Sequence, residues 1–208
     1  KEEILRPESY TNGRQDVDYV LTTTEIVRMI RKSGIVFDKV EIEAADVPFG
    51  IGSGSGVIFG VTGGVTEAVL RRLQQGHNRV DMESIKKSGV RGDDGIKVLT
   101  YNYNGREIKA AVVNGLANAD KVLQQIKNHE AEYDFVEVMA CRRGCIMGGG
   151  QPVNAGPRTR KARMKGLYDT DVNTQIKKSN ENPMILSLYD SLLKGKEHEL
   201  LHRNFSGK

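Results

Sequence analysis

The strongest constraint on this chain is the segment Glu137–Pro152, which reads E-V-M-A-C-R-R-G-C-I-M-G-G-G-Q-P. It holds Cys141 and Cys145, the only two cysteines of the sequence, and a triple glycine follows them after Met147. Thiolates are the preferred ligands of iron–sulfur clusters, and glycine lets a backbone approach a bulky group closely. Two cysteines cannot complete a four-thiolate cluster, so the segment predicts either a smaller ligand or further ligands elsewhere.

Glycine is also the outlier of the composition. The 208 residues include 23 glycines, about 11% against a usual ~7%. The excess is concentrated in two clusters, Gly50–Gly64 and Gly144–Gly150. The net charge of +4 is mild and does not require a nucleic-acid partner. No run of roughly 18 apolar residues exists, and the first residues lack the apolar core of a signal peptide, so we expect no membrane span and no export signal within this sequence.

The apolar pattern predicts an α/β protein in which parallel-strand-containing lobes are flanked by helices, with an added β-hairpin. Residues 17–21 are expected to form a buried strand, and residues 77–95 a polar surface connection. The hairpin is predicted around Asn104-Gly105, which is the strongest short hairpin signal. Helices are expected after Thr23 or Thr24, at 64–75, 119–128 and 183–193, and around His198, and a basic helix or turn is expected at 158–168. A further strand is expected at 133–139, leading into the cysteine loop.

The cysteine segment closely resembles the third signature of the iron-only (di-iron) hydrogenases, in which C-x-x-x-C runs into G-G-G-Q-P. Other stretches are similar to that family in the same order: D-V-D-Y-V-L-T-T at 16–23, I-F-G-V-T-G-G-V-T-E-A-V-L at 58–70, G-L-Y-D at 166–169 and H-E-L-L-H at 198–202. The resemblance covers nearly the whole chain. It identifies residues 1–208 as a C-terminal portion of the hydrogenase catalytic domain.

The resemblance implies a 4Fe-4S cubane held by four cysteines and joined to a two-iron subcluster. Cys141 and Cys145 would be metal ligands, with Cys145 also bridging to the two-iron unit. Met139 would pack beside that unit, and Phe59 and Gly60 would line its pocket. Gly144 would allow the tight turn next to the cubane. The parent reaction implied is the reversible oxidation of dihydrogen to protons and electrons.

Two departures from the family pattern limit this assignment. The family usually has Pro-Gly or His-Gly after its first cysteine here, whereas this chain has Arg142-Arg143, two cations that should raise the potential of the cubane. The family's earlier signatures, T-S-C-C-P and M-P-C followed by K-K-x-E, are absent, and Lys1 and Glu3 match the last letters of the second. We therefore expect a fragment that, alone, holds an incomplete or absent cluster and is inactive.

Several alternatives remain open from the sequence. The chain could belong to a hydrogen sensor, to a divergent iron–sulfur relative used in cluster assembly, or to a thiol protein that cycles a Cys141–Cys145 disulfide. The glycines at 50–64 could cradle phosphate, although their spacing matches no nucleotide motif. The H-E-x-x-H letters at 198–202 match a zinc-protease helix, but no third ligand follows, so a structural helix is favoured.

Partners are predicted from charge and from the resemblance. The missing N-terminal part of the same catalytic domain is the first expected partner. A basic segment (Arg158, Arg160, Lys161, Arg163 and Lys165) is predicted either as a solvated helix face or as a docking surface for a ferredoxin-like carrier or diaphorase subunit. It lacks interleaved aromatics, so nucleic acid is not expected. The expected location is cytoplasmic.

Overall fold

The computed structural model describes residues 1–44, 46, 51–74, 79–92, 94–153 and 156–202. The chain divides into two compact units. One, here called the α1 unit, comprises Lys1–Ala45 and Gly149–Ala155. The other, here called the sheet unit, comprises Asp46–Gly148 and Gly156–Lys208. The cysteine segment therefore crosses from one unit to the other between Gly148 and Gly149.

The α1 unit contains one helix and one small hairpin. Strands β1 (Tyr10–Thr11) and β2 (Arg14–Gln15) pair antiparallel, and helix α1 spans Thr23–Lys32. The helix begins with a capping box, because Thr22 accepts from the Glu25 backbone while the Glu25 carboxylate accepts from the Thr22 N–H. The cap is therefore Thr22, one residue before Thr23 and two before Thr24, the two predicted caps.

The strand predicted at residues 17–21 is wrong. Residues 17–22 form no strand, and Val17, Tyr19 and Leu21 are exposed. A run of apolar residues between threonines is typical of a buried strand, but a strand also needs a neighbour with which to exchange backbone hydrogen bonds. In the described part of the α1 unit the strand pairing is confined to β1 and β2.

The sheet unit is built on a three-stranded mixed sheet with the order β3-β4-β5. Strands β3 (Ile96–Tyr103) and β4 (Arg106–Asn114) form the predicted hairpin, with both turn residues in the left-handed region (Asn104 φ 50°, Gly105 φ 79°). Strand β5 (Phe135–Met139) pairs parallel to β4. The predicted α/β class, with parallel strands and an added hairpin, is confirmed.

Helices flank this sheet, and their order follows the chain: α2 (Gly54–Val57), α3 (Gly64–Leu73), α4 (Arg79–Lys87), α5 (Leu116–Lys127), α6 (Pro157–Asn173), α7 (Pro183–Asp190) and α8 (Glu197–Leu201). One core cluster joins the sheet to α3 and α4 through Leu70, Ile85 and Val112. A second joins the sheet to α5 through Val113 and Val122. None of the described helices combines the length and apolarity needed to cross a bilayer.

The prediction of a polar surface connection at residues 77–95 is also wrong. Helix α4 lies within it, and both Ile85 and Val90 are fully buried. Two apolar residues among many polar ones gave too weak a periodic pattern to indicate a helix, yet each fills the core beside Leu70 and Leu99. Residues 75–78 and 93 lie outside the described part of this stretch.

A buried ionic network fixes α3 to α6 in the sheet unit. The Arg71 guanidinium donates two hydrogen bonds of 2.7 Å to the Asp171 carboxylate and one of 2.6 Å to Glu67, and all three side chains are almost inaccessible to solvent. Arg91 donates two further bonds to Glu67. Burial alone would raise the pKa of Asp171, but the Arg71 hydrogen bonds hold it below its ordinary value of 3.8.

Candidate functional site

The cysteine loop begins where β5 ends at Met139 and turns through two left-handed residues. Arg143 has a φ of 71° and Gly144 a φ of 82°, and the Gly144 N–H donates to the Cys141 carbonyl over 3.1 Å. A short 3-10 turn then spans Cys145–Met147. Glycine is suited to the second left-handed position, whereas an arginine at the first is uncommon and costs conformational energy.

Gly144 packs directly against the turn that follows α2. A Cβ atom on Gly144 would lie 3.0 Å from the Thr62 nitrogen, 3.1 Å from the Gly60 oxygen and 3.4 Å from the Met139 sulfur. A Cβ atom on Gly60 would in turn lie 2.9 Å from Leu167 of α6. The structure therefore brings three of the predicted site residues, Gly60, Met139 and Gly144, into close contact, because two of them lack side chains.

The two thiols are free, with Cys141 half-buried and Cys145 exposed. A Cβ atom on Gly148 would lie only 3.0 Å from the Cys141 sulfur, so this glycine leaves room at the thiol that no other residue type would leave. Among the described residues, no group of three or more His, Cys, Asp or Glu side chains is placed to hold a metal ion. Two thiolate donors fit one half of a four-thiolate cluster.

Phe59 faces a different surface from its neighbour Gly60. Its side chain is about half exposed and lines an open apolar groove of about 570 Å³ between α3 and α7, together with Val65, Val69, Ile185 and Tyr189. The predicted role of Phe59 in lining a two-iron pocket stays a prediction, since its recorded neighbours belong to the groove.

Three polar residues that sequence reasoning did not assign hold the loop or the start of helix α3. Asn114, at the end of β4, accepts a 2.9 Å hydrogen bond from the Arg143 N–H. Glu137, on β5, accepts from the Gly63 and Thr66 backbones and from the Thr66 hydroxyl at 2.7–2.8 Å, so it caps α3 from the strand that carries the cysteines. Arg163 of α6 donates to the Ile146 carbonyl at 2.7 Å.

The position of Arg163 corrects part of the prediction for the basic segment. It is half-buried against the 3-10 turn of the cysteine loop rather than being part of a solvated face. Arg158, Lys161 and Lys165 are exposed, and Lys165 pairs with Asp169. Arg142 and Arg143 are also exposed. The contact of Arg163 could not be predicted from the sequence, because several basic residues lie close together and the pattern does not indicate which side chain is buried.

Tyr168, next to this helix surface, is the other perturbed group of the region. Burial raises the pKa of Tyr168 to about 12, although the Arg91 guanidinium, 4.0 Å from the ring centroid, opposes the rise. The phenol therefore stays protonated at any physiological pH.

Most of the H-E-x-x-H sequence lies in helix α8, where a helix was predicted, and His202 is the C-cap residue of that helix. The ring of His198, in the first turn of α8, stacks on that of the C-cap residue His202 with their centroids 4.7 Å apart. No third His, Cys, Asp or Glu joins them among the residues that the structure describes. A catalytic zinc site needs three protein ligands, and the preference for a structural helix over a zinc site stays a prediction.

Comparison with known proteins identifies the family. Residues 1–149 match the family described as iron only hydrogenase large subunit, C-terminal domain, and residues 157–208 match the iron hydrogenase small subunit family. Iron hydrogenase 1 of Clostridium pasteurianum is 38% identical over 97% of this chain, and the NADP-reducing hydrogenase subunit HndD of Solidesulfovibrio fructosivorans is 38% identical over 99%. The chain spans only 37% and 36% of those two relatives.

A solved structure of a FeFe-hydrogenase HydA1 variant from Chlamydomonas reinhardtii superposes with a TM-score of 0.68 at 30% identity, covering 98% of this chain and 60% of that one. The cytosolic Fe-S cluster assembly factor narfl of Xenopus tropicalis is 28% identical over 95% of this chain and 42% of its own length. The chain belongs to the iron-only hydrogenase family, as the C-terminal part of its large-subunit domain, a class of metal-binding iron–sulfur oxidoreductases.

Proposed function

We propose that this chain supplies one half of the metal site of an iron-only hydrogenase catalytic domain. The observation that carries the proposal is the pair of free thiols, Cys141 and Cys145, in one loop. The loop is packed so closely at Gly144 and Gly148 that a Cβ atom at either position would lie 3.0 Å from a neighbouring atom. Both thiols would hold a 4Fe-4S cubane, and Cys145 would also bridge to a two-iron unit. When bound, that metal group supplies the reversible interconversion of dihydrogen with two protons and two electrons.

The residues around the thiols act by shape and polarity. Met139 presents a buried, polarisable sulfur beside Gly144, which suits a neighbour of a soft metal–thiolate group. Gly60 adds no side-chain atoms beside Gly144, and we propose that Gly60, Met139 and Gly144 line the cofactor pocket. Phe59 would join this lining only if its side chain turned away from the groove between α3 and α7 in the completed protein. The hydrogen bonds that Asn114 and Glu137 accept and the one that Arg163 donates would keep this lining in one conformation as electrons enter and leave.

We further propose that the site is completed by a more N-terminal part of the same catalytic domain, which would supply the remaining two thiolates. The relatives are much longer than this chain, which spans 37% of the clostridial enzyme. The α1 unit also exposes large apolar side chains, including Tyr19, Phe37 and Ile42, which is typical of a surface that another part of the protein covers. On this proposal the 208-residue chain alone neither holds the complete cluster nor evolves hydrogen.

The test compares the chain alone with the chain produced together with its completing part. Iron and acid-labile sulfide are measured after anaerobic reconstitution, and hydrogen evolution is assayed with a reduced dye. The proposal expects an intact cluster and activity only in the completed protein, both lost in Cys141→Ser and in Cys145→Ser. Met139→Leu should alter the spectrum of the cluster, and Met184→Leu, an exposed methionine of α7, is its control. Hydrogen evolution by the 208-residue chain would overturn the requirement for completion.

A second candidate function is that of a non-catalytic, cluster-binding relative, either a hydrogen sensor or a divergent protein of cluster assembly. It is supported by the 28% identity with the narfl assembly factor over nearly the whole chain and by Arg142-Arg143 in the cysteine loop. The same completed protein distinguishes the two. A full cluster without hydrogen evolution or uptake favours this alternative, and turnover excludes it.

The electron partner is proposed to be a ferredoxin-like carrier or a diaphorase subunit. The support is the exposed part of the basic segment, Arg158 and Lys161, together with a relative named as NADP-reducing. Charge steering should make the rate of electron delivery fall steeply with salt. Arg158→Glu with Lys161→Glu should slow delivery from an acidic carrier, while electron delivery from a small neutral dye should be unchanged.

We propose a cytoplasmic location for the parent protein, in line with the NADP-reducing relative. A relative named as a periplasmic hydrogenase large subunit is 44% identical over 75% of the chain, so the location needs its own measurement. Fractionation of the native cells, with the protein detected in the cytoplasmic or the periplasmic fraction, decides between the two.

A further inference from the structure

The side chain of Asn114 is hydrogen-bonded both to the cysteine loop, at Arg143, and to Thr62, two residues after Gly60. It is almost fully buried at the carboxyl end of β4, opposite Met139 in the parallel ladder. Its Oδ1 atom accepts the Arg143 N–H at 2.9 Å, and its Nδ2 atom donates to the Asp94 carbonyl at 2.8 Å and, more weakly, to the Thr62 hydroxyl at 3.4 Å.

The Arg143 N–H is a sensitive point at which to hold the loop. Arg143 lies between the two cysteines, and its left-handed backbone (φ 71°) is disfavoured for a residue with a side chain. A conformation of this kind persists only where its surroundings impose it. The carboxamide of Asn114, a buried side chain, provides such a constraint through a part-buried hydrogen bond.

We propose that Asn114 is a positioning residue, which holds the backbone between Cys141 and Cys145 so that both thiols are in place before any metal binds. The inference rests on the proposed function for its biological meaning, since thiol positions matter only if the thiols hold a cluster. Its physical content is separate: a buried side chain restrains the Arg143 backbone without help from a ligand.

The hydrogen-bond partners of Asn114 and Glu137 differ, and only those of Asn114 include the backbone between the two cysteines. Glu137 contacts Gly63 and Thr66 of α3, so its hydrogen bonds orient a helix and not the loop. The Gly115 N–H, next to Asn114, donates to the Met139 carbonyl at 2.8 Å, which fixes the end of β5. Further along the loop, the Asn114 side chain restrains the backbone at Arg143, the residue with the left-handed conformation.

The experiment is amide hydrogen exchange by NMR on the full chain, purified without metal. In the wild type we expect the Arg143 amide to be protected although its side chain is exposed. Asn114→Leu removes the acceptor at similar size and should speed exchange of that amide by roughly fivefold or more, as loss of one hydrogen bond implies. Protection in β4, at Ala111 and Val113, should stay within about twofold.

Two further variants separate positioning from general stability. Asn114→Asp retains an oxygen acceptor for Arg143 and should keep its amide protected, although it loses the donor to Asp94. Asn118→Ala removes a neighbouring asparagine that donates to the Asn114 carbonyl and does not bond the loop, so it should leave Arg143 unchanged. Alkylation by iodoacetamide should become faster at half-buried Cys141 in Asn114→Leu, but not in Asn118→Ala.

An unprotected Arg143 amide in the wild type would overturn the inference, and this outcome needs no variant to fold. Equal loss of protection in the loop and in β4 would overturn it too, because Asn114 would then be a structural residue only. If the wild-type pattern is as expected while the completed protein binds no cluster, the proposed function fails and the positioning role of Asn114 survives.

Discussion

In the sheet unit, residues such as Ile58, Ile85 and Val113 are inaccessible to solvent, whereas no described residue of the α1 unit reaches that degree of burial. The first is held by apolar packing and by the Arg71 network. The second is held by a capping box, a two-residue hairpin and hydrogen bonds from Thr24 to the Gly150 carbonyl. The packing of the sheet unit can therefore hold Cys141 and Cys145 in position, whereas the α1 unit has little internal stability.

The largest effect is expected from Arg71→Ala in the sheet unit. The change leaves Glu67 buried beside Arg91 alone and Asp171 without its bidentate partner, which should lower the free energy of unfolding by about 3–5 kcal/mol. Urea denaturation followed by circular dichroism measures it. Lys165→Ala on α6 is the control, because its exposed pair with Asp169 should contribute under about 0.5 kcal/mol. Similar losses in both variants would contradict the importance of the buried network.

The two units should lose their structure at different acidic pH values. Hydrogen bonds from Lys1 and Thr22 lower the pKa of Glu25 from 4.5 to about 2, and the pKa of Asp171 lies below its ordinary 3.8. Both carboxylates have depressed pKa values in the folded state, so their stabilisation is complete above the unfolded pKa and disappears as the pH falls through the folded one. Helix α1 should therefore begin to lose amide protection just below pH 4.5, and the sheet unit only below about pH 3.8.

Glu25→Gln provides the control for this pH dependence. It should make the protection of α1 nearly independent of pH between 4.5 and 2, because the titrating group is gone. Loss of tertiary circular dichroism from the sheet unit at a higher pH than the loss of α1 protection would contradict the ranking of the two units.

A smaller effect is expected from Thr22→Ala, which removes the cap of α1. Loss of a threonine cap typically costs about 1 kcal/mol, and here the cost should appear only in α1 amides, because this unit has no buried core that transmits it. Hydrogen exchange measures the effect residue by residue. Thr159→Ala, at an exposed position of α6, should leave α1 unchanged. If Thr22→Ala also weakened β4 and β5, the two units would not be independent in stability.

The smallest effect is expected from Arg143→Gly. Glycine removes the strain of the left-handed backbone, but it also gains more freedom in the unfolded chain, so we expect a net gain below about 1 kcal/mol. Arg142→Gly is the matched control, because it removes the same charge without a left-handed backbone. Both should lower the reduction potential of a bound cluster. A loss of stability in Arg143→Gly as large as in Arg142→Gly would contradict the strain.

Much of this organisation is legible in the sequence, and the failures have physical causes. The Asn104-Gly105 hairpin and the helix after Gly64 depend on local turn chemistry and periodicity, so they were predictable. The buried role of α4 was not, because it depends on two residues, Ile85 and Val90, that meet partners distant in the sequence. The inward turn of Arg163 and the bonds of Asn114 are likewise tertiary contacts, without any local pattern.

The cysteines themselves were predictable as a pair, because their spacing and the glycines after them are rare together. Their anchoring was not. Asn114 is 29 positions from its partner Arg143, and Glu137 is more than 70 positions from Gly63 and Thr66. A single sequence does not reveal which distant residues will meet, so the residues that hold a site are harder to recognise than the residues that act in it.

The parallel pairing of β4 and β5 has a consequence for the order of events during synthesis and folding. The β3–β4 hairpin closes a short loop and can form early, whereas β5 joins β4 only after the intervening helix α5 has folded across. Met139 and both thiols lie at or beyond the end of β5, the last strand to dock. Delivery of metal is therefore expected to be a late step, and a nascent chain that has not yet docked β5 would offer its cysteines to oxidants instead.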